Sequence, residues 1–556
     1  MSLLKVSLFF LSSIIFFLIA DFIYIDWFAI NPYFIDPFLY WGTGEVFQYI
    51  KFHFSDTYYF RRWTITFINY LFSSIFDPYL AIYFKNVFLL IINLFLSTLI
   101  IFKLTRSFFL GLFCLIFFLP SSYYIYSIGN NYNQATGIFF INLILLITFF
   151  FNIKYQYKYF FFLFFVIFLS LVTYQFLIYV ILPITLFWVF INYNFIFSLN
   201  FKNFFLIILS ILLGIFAGFI LEYLISFLLN VKWQNLFIYS YKVSLGIIKS
   251  KQYAPTKDFY YSIFSNTSFI VSAIFISSTL LTISIFNKNK NYFAFSLLLI
   301  FLTLIYLLDP FLGIASTFNF QTNFYLFNLC LLGLILFLDF IITDYKIYFK
   351  ILIFIFIFLL SLFVFKYISI NRFYLYTNIL ILILFSLFFL FYKKKFSKFF
   401  LIILFIVLYL QLMNNSSNYS IAQPFFKNRD DIKVKIEKLS SEIRHATKQA
   451  IDFNPSQPRR LWILDNRPHE GWSNTISSLY GLYSAINVGY NSNTVDCKQI
   501  DWILMFPNSV LVTYGFDTEI NSLNRLMELF KPCGSFIFEK SIDIENAHTF
   551  TLKKTN

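Results

Sequence analysis

Residues 1–413 hold one apolar run after another, most of them near the roughly 20 residues that a helix needs to cross the hydrocarbon core of a bilayer. Runs of that kind rule out a water-soluble fold for this part of the chain. Of its 556 residues, 60% are hydrophobic and only 12% are charged, against about 25% charged in an ordinary soluble domain. The runs predict spans near 4–20, 79–102, 107–122, 136–152, 159–174, 176–192, 204–228, 266–286, 292–308, 326–343, 349–368, 377–392 and 399–413. The fold class that follows is a polytopic α-helical membrane protein of about thirteen transmembrane helices, with a small C-terminal α/β soluble domain. The first run resembles a signal peptide, with Lys5 ahead of it. No small-residue cleavage site follows, so it reads as a retained span.

Charge gives these spans a direction. Residues 1–413 carry 25 Lys and Arg against 11 Asp and Glu, whereas residues 414–556 carry 16 against 15. The net charge of +15 therefore belongs almost wholly to the membrane part. Nucleic-acid binding is disfavoured, because it gathers basic residues on one soluble face. With a cytoplasmic N-terminus, every second connection is cytoplasmic. Those connections hold Lys103 and Arg106, Lys154 and Lys158, Lys202, Lys288 and Lys290, Lys346 and Lys350, and finally Lys393, Lys394, Lys395 and Lys398. The short outer connections 121–135 and 309–325 hold no Lys or Arg. This is the positive-inside pattern of a bacterial inner-membrane protein, and it places the C-terminal domain outside, in the periplasm or extracellular space.

Two outer loops fall outside that pattern. Loop 21–78 holds six of the eleven acids of the membrane part: Asp21, Asp26, Asp36, Glu45, Asp56 and Asp77. Loop 229–265 is basic, with Lys232, Lys242, Lys249, Lys251 and Lys257 against Asp258. Asp36-Pro37 is a good helix start, Asp as N-cap and Pro in the first turn, and predicts an interfacial amphipathic helix over 37–50. A carboxylate at such a place is also suited to act as a base. The lysines of the second loop suit either a phosphate or anionic lipid headgroups. Glu222, near the outer end of its span, reads as a side chain that snorkels to the interface. Asp309-Pro310 reads as the opening of an outer loop that also holds Asn319, Gln321 and Asn323. His53 reads as an interfacial surface residue.

The remainder divides into a charged helical connector, 414–453, and a soluble domain, 454–556. Within the latter, strands are expected at 460–465, 509–514, 535–539 and 548–552, and helices near 474–484 and at 518–530. Asp465, His469 and Glu470 read as a solvated turn. Cys114 and Cys330 lie in apolar runs and read as packing residues. Cys497 and Cys533 share the soluble domain and are able to pair if it lies outside the cytoplasm. No zinc or haem spacing is present.

The first loop carries a resemblance. Asp36-Pro-Phe-Leu-Tyr40-Trp-Gly, then Asp56-Thr-Tyr58-Tyr59-Phe-Arg61-Arg62 ahead of the second span, resembles the GT-C superfamily of membrane glycosyltransferases. Protein O-mannosyltransferases and the lipid A aminoarabinose transferase are among its members, and the nearest likeness is to an uncharacterised bacterial branch. The resemblance in motif covers about the first 150 residues, and the layout covers the whole chain. It implies a polyprenyl-phosphate-linked sugar as donor and a glycan, lipid or protein as acceptor, handled at the outer face among membrane lipids. It implies Asp36 as catalytic base or acceptor-orienting group and Arg62, with Arg61 as its rival, on the donor phosphate. Tyr40, Tyr58 and Tyr59 would line the site, with Lys242, Lys249 and Lys251 near the lipid phosphate. Oligosaccharyltransferases add a second acidic motif from a following outer loop to build a metal site, but residues 121–135 contain no acid. The resemblance therefore leans toward a monosaccharide transferase with no metal ligands and no cofactor, a divalent metal remaining open. Other classes compatible with the residues are a transporter or flippase for lipid-linked glycans, a polysaccharide polymerase or ligase, and a non-catalytic envelope scaffold.

Overall fold

A computed structural model describes residues 3–23, 62–76, 78–118, 121–129, 133–150, 156–174, 177–192, 199–228, 268–312, 316–342, 380–381, 383–387, 397–416, 461–465, 497, 504, 510–541 and 547–555. In the membrane part the helices are α1 (Leu3–Ile23), α2 (Trp63–Ser73), α3 (Pro78–Thr105), α4 (Phe108–Phe113), α5 (Ser122–Gly129), α6 (Asn133–Phe150), α7 (Gln156–Thr173), α8 (Ile178–Ile191), α9 (Phe201–Leu228), α10 (Ser268–Phe286), α11 (Lys290–Leu312), α12 (Ser316–Ile342) and α13 (Ser397–Ser416). Among the described residues, five stretches are long and apolar enough to cross a membrane: Leu3–Ile23, Leu80–Thr105, Gln156–Thr173, Phe201–Leu228 and Tyr325–Ile342. The molecule is an integral membrane protein built of helices.

Burial separates central helices from peripheral ones. The apolar window of α12 is 89% buried, whereas that of α9 is 22% buried. On α9 the outer surface is a continuous apolar face of Phe205, Leu212, Phe216, Tyr223 and Phe227. Exposed side chains of that size on a long helix are a surface for lipid, not water. The inner stripe of α9 is different: Gly214, Gly218, Glu222 and Ser226 recur every four residues and are buried. A Cβ on Gly214 would lie 2.5 Å from the backbone oxygen of Phe161, and one on Gly218 would collide with the Phe168 ring. The Gly-x-x-x-Gly spacing thus lets α9 close on α7 nearly backbone to backbone.

Several boundaries follow from local chemistry. Arg106 and Lys288 adopt left-handed backbone conformations, with φ of 60° and 51°, just past the ends of α3 and α10. The Asn289 side chain then accepts from the backbone N–H groups of Asn291 and Tyr292 at 3.0 and 3.3 Å, which caps α11. Ser107 does the same for α4, accepting from Leu110 N at 3.2 Å. The apolar run expected to span at 107–122 is not one α-helix. It forms the six-residue α4 and a 3₁₀ turn, Cys114–Phe117, packed inside the bundle with Cys114, Leu115 and Phe117 buried. Gly111 brings this segment against the Phe9 ring of α1. The expected outer loop at 309–325 is also shorter: α11 continues through Asp309-Pro310 to Leu312, and Asn319, Gln321 and Asn323 lie in α12. The expected span at 349–368 lies outside the described residues, and of the connector expected at 414–453 only residues 414–416 are described, as the end of α13.

The C-terminal residues form a four-stranded sheet of order β1-β2-β4-β3, from β1 (Leu461–Asp465), β2 (Val510–Tyr514), β3 (Phe536–Lys540) and β4 (His548–Lys554), with α14 (Glu519–Phe530) between β2 and β3. Strands β1 and β2 are parallel, in register from Leu461↔Val510 to Asp465↔Tyr514, and the other pairs are antiparallel. The period-2 alternation of strands divides β2 between two cores. Leu511 packs with Leu526, Leu529 and Phe530 of α14, while Val510 and Val512 join the apolar cluster of the helical part. A disulfide joins Cys497 to Cys533, just past α14.

Candidate functional site

Helix α2 lies inside the long first loop, and its first residues make the most unusual contacts of the bundle. Arg62 occupies the N-cap position, and its carbonyl accepts from Ile65 N at 2.9 Å. The side chain is 2% exposed, one of the largest fully buried groups in the protein. Its guanidinium carbon sits 4.9 Å from the centroid of the Tyr174 ring, just beyond the end of α7. A guanidinium over a ring face is held by the negative charge of the π-system, an attraction that grows as water is removed. A guanidinium is a planar fork of N–H donors, the shape that matches a phosphate or carboxylate.

Neighbouring residues fix that arrangement. Trp63 is buried in a cluster with Phe168 and Val172 of α7, against which Ile215, Phe219 and Ile225 of α9 pack. The Thr64 and Thr173 hydroxyls bond at 2.8 Å, tying α2 to α7 two residues after Arg62 and one before Tyr174. Glu222, fully buried, lies on the inner stripe of α9 between Phe219 and Ile225, the level at which Trp63 packs. It is not a snorkelling side chain: the i, i+4 stripe of Gly214, Gly218 and Glu222 turns it to the protein interior. At the same end of the bundle the Tyr83 hydroxyl of α3 donates to Asp21 at the end of α1, at 3.3 Å. Lys85, 2% exposed, follows on α3.

A second polar region lies deeper. Asn93, halfway along α3, donates to the Ala135 carbonyl at 3.2 Å and accepts from the Asn142 amide of α6 at 3.3 Å. Asn142 in turn accepts from Asn328 of α12 at 3.2 Å. Asn86 donates to the Gly129 carbonyl at 3.0 Å. Three helices are thus joined by a ladder of neutral amides in an apolar interior, the kind of pairing that holds membrane helices together.

Of the residues expected to form the site, Arg62 is described. Asp36, Tyr40, Tyr58, Tyr59, Arg61, Lys242, Lys249 and Lys251 lie outside the described residues, as do His53 and the helix expected at 37–50. Among the described residues no group of three or more His, Cys, Asp or Glu side chains is placed to hold a metal. Tyr174, Thr64, Thr173, Lys85 and the inward turn of Glu222 are additions that sequence reasoning missed. For Glu222 the signal was present in the spacing Gly214-x-x-x-Gly218-x-x-x-Glu222. For Tyr174 nothing in a chain with 40 Tyr and 86 Phe distinguishes it.

No family model matches the chain, and no curated protein matches it. Among solved structures it is similar to the crystal structure of ArnT from Cupriavidus metallidurans in the apo state, at 10% identity over 97% of each chain and a TM-score of 0.42. A likeness at that score leaves function to be argued from the chain's own residues.

Proposed function

We propose that this protein is an inverting glycosyltransferase that moves a sugar from a polyprenyl-phosphate donor to an acceptor at the extracytoplasmic face of the membrane. The observation that carries the reading is Arg62: a guanidinium buried on the Tyr174 ring, immediately after the loop motif that resembles membrane glycosyltransferases. Ionised side chains inside a bilayer-spanning bundle are expensive and are retained for function.

In the proposed reaction the Asp36 carboxylate takes the proton of an acceptor hydroxyl or amine. The acceptor atom attacks the anomeric carbon as its bond to the phosphate oxygen breaks. Polyprenyl phosphate leaves with the bonding electrons, and the negative charge that develops on it is met by Arg62 with Lys242, Lys249 and Lys251. Stabilising a leaving phosphate is the largest electrostatic demand of such a step, and cations held in a low-dielectric site supply it. Tyr40, Tyr58 and Tyr59 would carry the sugar. The orientation belongs to the same reading: N-terminus in the cytoplasm, C-terminal sheet outside. The Cys497–Cys533 disulfide supports it, because such bonds persist in oxidising compartments.

The test is transfer of a radiolabelled sugar from a polyprenyl-phosphate donor into endogenous acceptors by membranes holding the wild type or Asp36→Asn. The expected result is loss of transfer with unchanged protein amount; an Asp36→Asn protein with full transfer would overturn the assignment of the base.

One observation favours a different class. The amide ladder Asn93–Asn142–Asn328 crosses the bundle midway along α3, and transporters place substrate sites near the bilayer midplane. A flippase for lipid-linked glycans would move such a lipid across proteoliposomes without altering it, so mass analysis of the lipid before and after separates the two readings.

A further inference from the structure

The C-terminal sheet carries a polar cleft that the proposed reaction does not use. It has a volume of about 520 Å³ and opens at the carboxyl end of β2. Gly515, with φ of 77°, turns the chain sharply out of the strand, and Phe516 and Asp517 form one wall. Asn521, Asn524, Arg525 and Glu528 of α14 form the other. Their spacing of three, four and seven residues puts them on one helical stripe. On the opposite side of α14, Ser522, Leu526, Leu529 and Phe530 are buried.

Place, rigidity and chemistry agree on what the cleft is for. Open α/β sheets bind ligands in the crevice outside the carboxyl ends of their strands. Here β1 and β2 run parallel and end together, Asp465 beside Tyr514. The walls are braced from beneath: Thr513 Oγ1 bonds Ser522 Oγ at 2.5 Å and donates to the His548 carbonyl at 3.0 Å, and His548 Nε2 lies 3.3 Å from the Phe516 carbonyl. The Thr518 hydroxyl accepts from Asn521 N at 3.2 Å and fixes the first turn of α14. Arg525 is oriented by Glu528 at 2.8 Å. Two carboxylates, two amides and a guanidinium supply both donors and acceptors, the complement of adjacent sugar hydroxyls, each of which donates and accepts. With Asp517 and Glu528 against Arg525 the charged groups sum to a negative wall, which repels phosphates and uronic acids.

We propose that this cleft is a binding site for an uncharged saccharide. The proposal deepens the transferase reading, on which it rests for its biological sense: the domain would hold the glycan acceptor beside the membrane site. Binding is nonetheless measured without transfer. Fluorescently labelled full-length protein in lipid nanodiscs is applied to an array of neutral and acidic oligosaccharides. The wild type is expected to be retained on neutral glycans. Substitution of the exposed residues Asp517→Ala and Asn524→Ala, each made alone, should lower that retention at least tenfold, and Lys553→Ala, on β4 outside the cleft lining and paired with Glu539, should not. Asp36→Ala should bind as the wild type does while losing transfer, which separates failure of the cleft from failure of the active site. Retention only on acidic glycans, retention on none, or wild-type retention by both cleft variants overturns the proposal.

Discussion

Two groups of buried polar side chains among the described residues of the bundle are built on different rules. In the amide ladder of α3, α6 and α12, each neutral side chain is answered by another: Asn328 by Asn142, Asn142 by Asn93, Asn93 by the Ala135 carbonyl. At the α2–α7–α9 corner the buried groups are an ion on a ring, Arg62 over Tyr174, and a carboxylate, Glu222, on a stripe of glycines. Neutral amides in an apolar interior pair because the alternative is an unsatisfied dipole, and the gain per bond is modest, about 0.6 kcal/mol on average in membrane helices. A buried ion is costly by comparison, and replacing it with apolar groups of the same shape often stabilises a protein. The ladder therefore suits a scaffold, and the corner is where the proposed function is placed.

That contrast is breakable. Arg62→Ala should lower sugar transfer on the order of 100-fold, the size expected for one electrostatic donor to a leaving group, with little change in yield of monodisperse protein in detergent. Arg62→Lys keeps the charge and loses the planar fork and the stacking on Tyr174, so it should also be impaired. If both variants transfer normally, the corner is structural. Next in size, Gly214→Leu sets a side chain against the Phe161 backbone, which cannot retreat like a side-chain tip. A loss of about 3 kcal/mol from overpacking is expected, read as a lower thermal midpoint and weaker transfer together, because α9 carries part of the wall behind Trp63. Asn142→Leu removes two ladder bonds and leaves Asn93 Oδ1 and the Asn328 amide without their partner. A cost of about 1–2 kcal/mol should appear in the thermal midpoint, with transfer per folded molecule unchanged; abolished transfer at full stability would move the ladder from scaffold to site. Smallest, Thr64→Val breaks the hydroxyl pair with Thr173. About 0.5–1 kcal/mol is expected, together with a rise in donor KM larger than any fall in kcat if the pair serves to position Arg62.

The helices themselves were legible because hydropathy and length are local properties. Spans expected at 79–102, 204–228 and 266–286 are helices at Pro78–Thr105, Phe201–Leu228 and Ser268–Phe286. The strands expected at 509–514 and 535–539 fall at Val510–Tyr514 and Phe536–Lys540. Where reading failed, a turn signal was outweighed: Asp309-Pro310 suggested a loop, yet α11 runs through it to Leu312. The apolar run at 107–122 gave length without continuity, and only packing against Phe9 and the neighbouring helices explains its break into α4 and a 3₁₀ turn. The facing of Glu222 is easily overlooked because α9 is apolar all round, and only the four-residue spacing of Gly214, Gly218 and Glu222 marks its inner side. The ladder was invisible for another reason. Its members are 49 and 186 residues apart, and pairing across such separations is a property of the fold, not of any window of sequence. Arg62 was singled out from its place behind the loop motif, while its burial over the Tyr174 ring is a tertiary contact between α2 and the end of α7 that no window of sequence shows.

The central claim is that a sugar leaves a polyprenyl phosphate with Asp36 and Arg62 at the reacting bond. Mass spectrometry of polyprenyl-phosphate sugars, extracted from cells lacking the protein and from the same cells complemented with wild type, Asp36→Asn or Arg62→Ala, tests it most directly. The account predicts one lipid-linked sugar that accumulates without the protein, is consumed when the wild type returns, and persists with either variant. If no such lipid accumulates, or if both variants clear it as the wild type does, the account is wrong.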